Sequence, residues 1–279
     1  SGFSGDGCQL TALDSVPSES NWLLLLSYDG TNYNGWQVQP NQPTIEGTLE
    51  EALLRLTGNI VKVHGSGRTD AGVHGLNQTA TFSVVSGFSP EKWRLALNGV
   101  LPDDLVVKHV QQVPAAFHAR HSSIGKRYRY LVCNLPYRSP FSRNKSWWVR
   151  KPLDLDAMRE AASELTGRND FSAFRAAGCS SPNPVKDLRE ILCDVKPWLH
   201  ANLCLETEAD SFLQHMVRII VGTLVQVGTG KLKPQQMKGI LESRDRVQAG
   251  PTAPAHGLYA LCVRYPEGTV SWPEEVMNH

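Results

Sequence analysis

The ten residues Gly65-Ser66-Gly67-Arg68-Thr69-Asp70-Ala71-Gly72-Val73-His74 set one carboxylate among glycines, directly after a β-type run. Glycine lets backbone approach a ligand closely and adopt angles other residues avoid. An aspartate placed there has two readings. It is a presented nucleophile or acid/base, or it is an ordinary turn residue, since Asp and Gly are both favoured in turns. Arg68 stands two residues before Asp70, a spacing that in an extended segment puts both side chains on one side. A cation there favours the ionised carboxylate, which suits a nucleophile or an ion-paired orienter better than a general acid. The run is not a dinucleotide fingerprint, because Asp stands at the third glycine position and no helix follows at once. The chain also has no Walker-type phosphate loop.

Two further residues could carry chemistry. Arg218 lies in an apolar helical pattern running from Ser211 to Val227, on a narrow polar face with Ser211, Gln214, His215 and Gly222. An unpaired buried cation is too costly, so Arg218 needs a carboxylate or water, and the pattern leaves open which. Gly222, one turn on, leaves room for something to lie against the helix. Tyr128 sits within Lys126-Arg127-Tyr128-Arg129-Tyr130. A tyrosine among cations on a strand can stack on a base while its neighbours hold phosphates, or it can be a core aromatic. His118 and His121 have no acidic companion, and with His74 and His256 they read as hydrogen-bonding residues. The six cysteines form no CxxC pair. They read as reduced thiols, and no metal site is expected.

The elements that must position these groups follow from periodicity and punctuation. Strands are expected over Trp22–Tyr28, Ile60–His64, Gln78–Val85, Leu105–Val110, Lys126–Asn134, Leu188–Val195, Leu203–Glu208 and Leu258–Tyr265. Helices are expected over Thr44–Gly58, from Ser89-Pro90 onward, from Asp154 to Thr166, over Ser211–Val227, and from Pro234 to Glu242. Both halves mix strands and helices, which argues for an α+β fold of two related subdomains, helices packed on a mainly antiparallel sheet. The expected divisions are a disordered tail or non-native remnant at 1–20, an N-terminal subdomain at 21–122 with the Asp70 loop, a C-terminal subdomain at 123–266, and a tail at 267–279.

Composition narrows the partner. The net charge is +1, with 41% hydrophobic and 20% charged residues. Yet no Asp or Glu occurs between Leu105 and Leu153, a stretch that holds Lys126, Arg127, Arg129, Arg143 and Lys145 interleaved with tyrosines and tryptophans. Charge for phosphates and flat faces for bases are what a nucleic-acid surface needs, although a solvated positive face has the same composition. A non-catalytic RNA-binding module also fits these residues. So does a small-nucleoside hydrolase with Asp70 as nucleophile, though it would make no use of Arg127, Arg129 and Lys145. No signal peptide or long apolar span is present, so a cytoplasmic location without membrane contact is expected.

Six motifs, in order along the chain, resemble the tRNA pseudouridine synthase A family. They are Tyr28-Asp29-Gly30-Thr31-Asn32-Tyr33-Asn34-Gly35-Trp36-Gln37, the run Gly67 to Gly75, Phe117 to Arg120 with Lys126 to Tyr130, Asp170 to Arg175, His215 to Gly222, and Ala255 to Tyr259. The resemblance implies the pseudouridine synthase fold, with a mixed sheet and a cleft between the subdomains. It implies a homodimeric, cofactor-free isomerase acting on uridines 38, 39 and 40 of the tRNA anticodon stem-loop. By position, Asp70 is then the catalytic aspartate, Tyr128 stacks on the flipped base, and Arg218 holds Asp70. Arg68 contacts the RNA, and Leu258 forms an apolar wall.

Overall fold

A computed structural model describes residues 18–199 and 201–277. Leu23 to Leu26 are all buried, as an unbroken apolar run covered on both faces must be. They lie in β1 (Glu19–Tyr28), which pairs antiparallel with β3 (His74–Val85) and β4 (Leu105–Val113). The short β2 (Val63–Gly65) borders β3. Thr44 caps α1 (Ile45–Thr57) by accepting the Gly47 N–H, and Ser89 caps α2 (Pro90–Val100), with Pro at its first turn. Both helices pack on Trp22, Leu24, Leu26 and Phe82 in one core.

The second half holds β5 (Gly125–Cys133), β6 (Trp147–Trp148), α3 (Leu155–Ser163), β7 (Gly167–Asp170), β8 (Val185–Trp198), β9 (Ala201–Ala209), α4 (Met216–Gly228), α5 (Gln236–Ser243), β10 (Leu258–Arg264) and α6 (Glu274–Met277). Its core joins α3, α4 and α5 to Tyr130, Val132, Leu203 and Leu205 of the sheet. The fold is α+β, as expected. Among the described residues one ten-stranded, mostly antiparallel sheet runs β4-β1-β3-β10-β5-β9-β8-β7, with β2 on β3 and β6 on β5. β10 joins the halves. It is antiparallel to β5 but parallel to β3, through only Tyr259↔His74 and Ala260↔Gly75.

That register lines up Tyr28, Gly75, Ala260 and Tyr128 on one face. Tyr28 belongs to the first core and Tyr128 packs against the second. Both helical groups therefore cover the same face and leave a cleft between them. Among the described residues no helix is long and apolar enough to cross a membrane.

Two expectations need correction. The long helix begins at Met216, not Ser211. Ser makes a good cap, but here the Asp210 carboxylate accepts the N–H groups of Ser211 and Asp187, and the Gln214 carbonyl accepts from Ala176. These bonds hold 211–215 outside the helix. Second, β1 already includes Glu19 and Ser20, which pair with Val85 and Val84. Residues 1–17 of the 1–20 expectation lie outside the described residues. The C-terminal segment, expected as a tail at 267–279, packs on the fold. Val270 and Trp272 pack beside Phe117 and Tyr265, and the Trp272 ring meets His109 edge-on at 5.6 Å.

Candidate active site

The Asp70 loop links the end of β2 to the start of β3, and three layers of contact fix it. Below it, the Trp36 N–H donates to the Thr69 carbonyl and the Gly72 N–H to the Tyr33 carbonyl. Gly35 makes this approach possible: its φ is +84°, and a Cβ there would lie 2.4 Å from the Thr69 carbonyl oxygen. Beside it, the Gln78 amide donates to the Gly67 carbonyl, and the Tyr28 and Thr69 hydroxyls are 3.0 Å apart. Within it, the Val73 N–H closes a turn onto the Asp70 carbonyl. The turn reading of the sequence holds, and the turn leaves the Asp70 carboxylate at the edge of the cleft, partly exposed.

A cation from the other half of the protein meets this carboxylate. Arg218 Nη1 donates to Asp70 Oδ2 at 2.9 Å, while its Nε donates to the Ala253 carbonyl at 2.8 Å. The object lying against α4 at Gly222 is the chain's own segment 250–253. A Cβ on Gly222 would fall 1.7 Å from the Pro251 carbonyl oxygen, and Thr223 Oγ1 accepts the Gly250 N–H. That segment is what braces Arg218. Arg68, by contrast, is exposed at the cleft and makes no ion pair with Asp70. β2 ends at Gly65, so strand alternation does not extend to the pair and cannot bring the two side chains together.

His215 is the group that pattern reasoning left unassigned. Its Nε2 lies 3.4 Å from the same Asp70 oxygen that Arg218 holds. Its backbone is left-handed, φ 63°, an arrangement that is rare outside glycine and persists where packing enforces it. The signal was present, since His215 shares the polar face with Arg218, but its carboxylate partner lies far away in sequence.

The cleft encloses about 900 Å³ and is lined by Arg68, Asp70, Arg120, Lys126, Tyr128 and Leu258, among others. Tyr128 stands edge-on to Phe212 at 5.1 Å. Burial, with the nearby Asp70 charge, pushes its phenol up to about 12, so the hydroxyl stays protonated at neutral pH. Leu258 is buried at the start of β10.

The expected RNA-contacting cations divide by strand face. Lys126 faces the cleft with Tyr128. Arg127 and Arg129 face the other side of the sheet, where Arg127 pairs with Glu190, Glu206 and Glu208 and Arg129 with Glu206. The acids missing from their own stretch are supplied by β8 and β9, and these two arginines are engaged away from the cleft. Lys145 likewise pairs with Asp29. Burial raises the Asp29 carboxyl, but Lys145 and Thr31 outweigh it and hold it at about 2. Arg143 is exposed. Among the described residues no cluster of His, Cys, Asp or Glu is arranged to hold a metal ion.

A mostly antiparallel sheet with a carboxylate loop, a clamping arginine and a tyrosine at one cleft defines a class. The tRNA pseudouridine synthase family model matches residues 25–122 and 161–266, and the chain belongs to that family of isomerases. Proteins called tRNA pseudouridine synthase A are similar over most of their length. The one from Acetivibrio thermocellus is 44% identical over 245 residues, covering 88% of this chain and 99% of its own. That from Myxococcus xanthus is 45% identical over 245 residues, covering 88% and 92%. That from Brevibacillus brevis is 45% identical over 235 residues, covering 84% and 95%.

Proposed function

We propose that this protein converts uridine to pseudouridine at positions 38, 39 and 40 of the tRNA anticodon stem-loop, with Asp70 as the catalytic carboxylate. The observation that carries the reading is the Arg218–Asp70 contact, made between residues 148 apart in sequence at the cleft between the two helical groups. The reaction breaks the C1′–N1 glycosidic bond, turns the uracil and forms a C1′–C5 bond. C5 loses a proton and N1 gains one, so atoms and charge balance without an outside reactant. A carboxylate serves it either as nucleophile or as base.

The surrounding groups suit that role. Arg218 and His215 both engage Oδ2, which leaves Oδ1 as the oxygen turned to the substrate. The base reaches Asp70 only after leaving its stack, at a cost of a few kcal/mol. Stacking on Tyr128 and contact with Leu258 offset that cost. Arg68, exposed on the loop, holds the RNA and keeps the base out, and Arg143 extends the phosphate contacts. The protein acts in the cytoplasm as a homodimer, one tRNA bridging both subunits.

Asp70→Asn is expected to lower pseudouridine formation about 10²- to 10⁴-fold, the range for loss of an acid/base or nucleophilic group, while tRNA binding survives. Pseudouridine mapping of an anticodon stem-loop, with each uridine replaced in turn, checks both the residue and the positions. Full activity in the variant would sink the assignment of Asp70.

A further inference from the structure

Lys126 presents a problem that the protein alone does not solve. It stands at the start of β5, largely buried, on the cleft face two residues before Tyr128. Among the described residues it has no carboxylate partner. The groups around it are mostly cationic. Arg120 lines the same cleft, and Lys186 of β8, 9% exposed, is close enough for its charge to act on Lys126. Arg68 lies in the loop opposite. Of the nearby acids, Asp70 is held by Arg218, Asp210 by backbone N–H groups, and Asp187 by Arg189. Space is kept for the ammonium: a Cβ on Gly67 would come within 2.9 Å of Lys126 Nζ. Burial, reinforced by Arg120 and Lys186, brings the lysine down to about 8. A buried cation among cations is costly unless an anion arrives.

We propose that the anion comes with the substrate, and that Lys126, backed by Arg120 and Lys186, grips the backbone phosphate next to the nucleotide whose base enters the cleft. The inference rests on the proposed reaction and deepens it. Two residues along a strand span roughly 7 Å, so a base against Tyr128 and an adjoining phosphate on Lys126 can belong to neighbouring positions of one RNA strand. The same arrangement gives a reason for the flipped geometry: the phosphate satisfies the lysine only when the strand enters the cleft.

The test uses the full chain and an anticodon stem-loop RNA in which single phosphates around the target uridine are replaced by neutral methylphosphonates. Wild type is expected to lose roughly tenfold in affinity at one flanking position, the size of one charge-assisted contact. Lys126→Gln is expected to bind about tenfold more weakly and to lose nothing further at that position. Its salt slope should fall by about one. Wild-type affinity should decline as pH rises through about 8, where the ammonium deprotonates, and Lys126→Arg should remove that decline. The melting temperature of Lys126→Gln should stay level or rise, because an uncompensated charge is gone. Wild-type binding by Lys126→Gln, or equal losses for both proteins at every phosphate, would overturn the inference. If wild type itself makes no pseudouridine in the stem-loop, the reaction fails instead.

Discussion

His74 closes the Asp70 loop, and its chemistry differs from what a surface histidine would show. The Gly30 N–H donates to Nδ1 at 3.0 Å, and Asp29 Oδ1 lies 3.1 Å from the same nitrogen. Nε2 faces the Asn144 and His256 carbonyls, and the ring stacks on Tyr259. Burial and the Lys145 charge push it down to about 4, against the opposing pull of Asp29. The neutral form is native, so its contribution to stability is complete above pH 6.5 and is lost as pH falls toward about 4. Between pH 7.5 and 5 this amounts to about 2 kcal/mol. Urea unfolding at the two values should show wild type losing that much more than His74→Gln. An equal loss in both would refute the assignment. The hydrogen-bonding role was legible in the sequence. From residue pattern alone the partners of Asp70 were legible only as kinds: a cation was required and Arg68 stood nearest in sequence, whereas the family resemblance named Arg218 and nothing named His215, which also lies beside Asp70 in space.

Alternation along β5 separates two tasks that composition had merged. Even positions send Lys126 and Tyr128 into the cleft, and odd positions send Arg127 and Arg129 to the carboxylates of β8 and β9. The sequence showed the alternation and the lack of acid, but not the cross-strand register that brings Glu206 opposite Arg129. Helix limits failed where side chains captured backbone groups, as Asp210 does ahead of α4. The strands β6 and β7, two and four residues long, are too short to leave a periodic signal. For α4 the decisive contact is the crossing of segment 250–253 at Gly222. Gly222→Ala would force that segment away and with it the Ala253 carbonyl that anchors Arg218. We expect a loss of about 2 kcal/mol or more from overpacking, together with reduced pseudouridine formation. Chemical denaturation and a turnover assay on the same preparation read both. Unchanged values for the two would refute the brace.

At the level of the molecule, α+β class and two helical groups could be read from pattern, whereas strand order could not, because pairing between distant segments leaves no local trace. The division at 122/123 does not interrupt the sheet: β10 lies between β3 and β5, far from its neighbours in chain order. A chain ending before Leu258 should expose two unpaired strand edges and give insoluble, inactive protein. Adding the β10 segment as a separate peptide during refolding should recover activity in part, and soluble active protein without it would refute this view of the join. The last of the described strands thus closes the centre. During synthesis, Asp70 and Tyr128 leave the ribosome long before the residues that bring their halves together. A half-made chain holds Asp70 and Tyr128 but not yet Arg218, His215 or Leu258, and a working site waits until β10 has emerged and paired with β3 and β5.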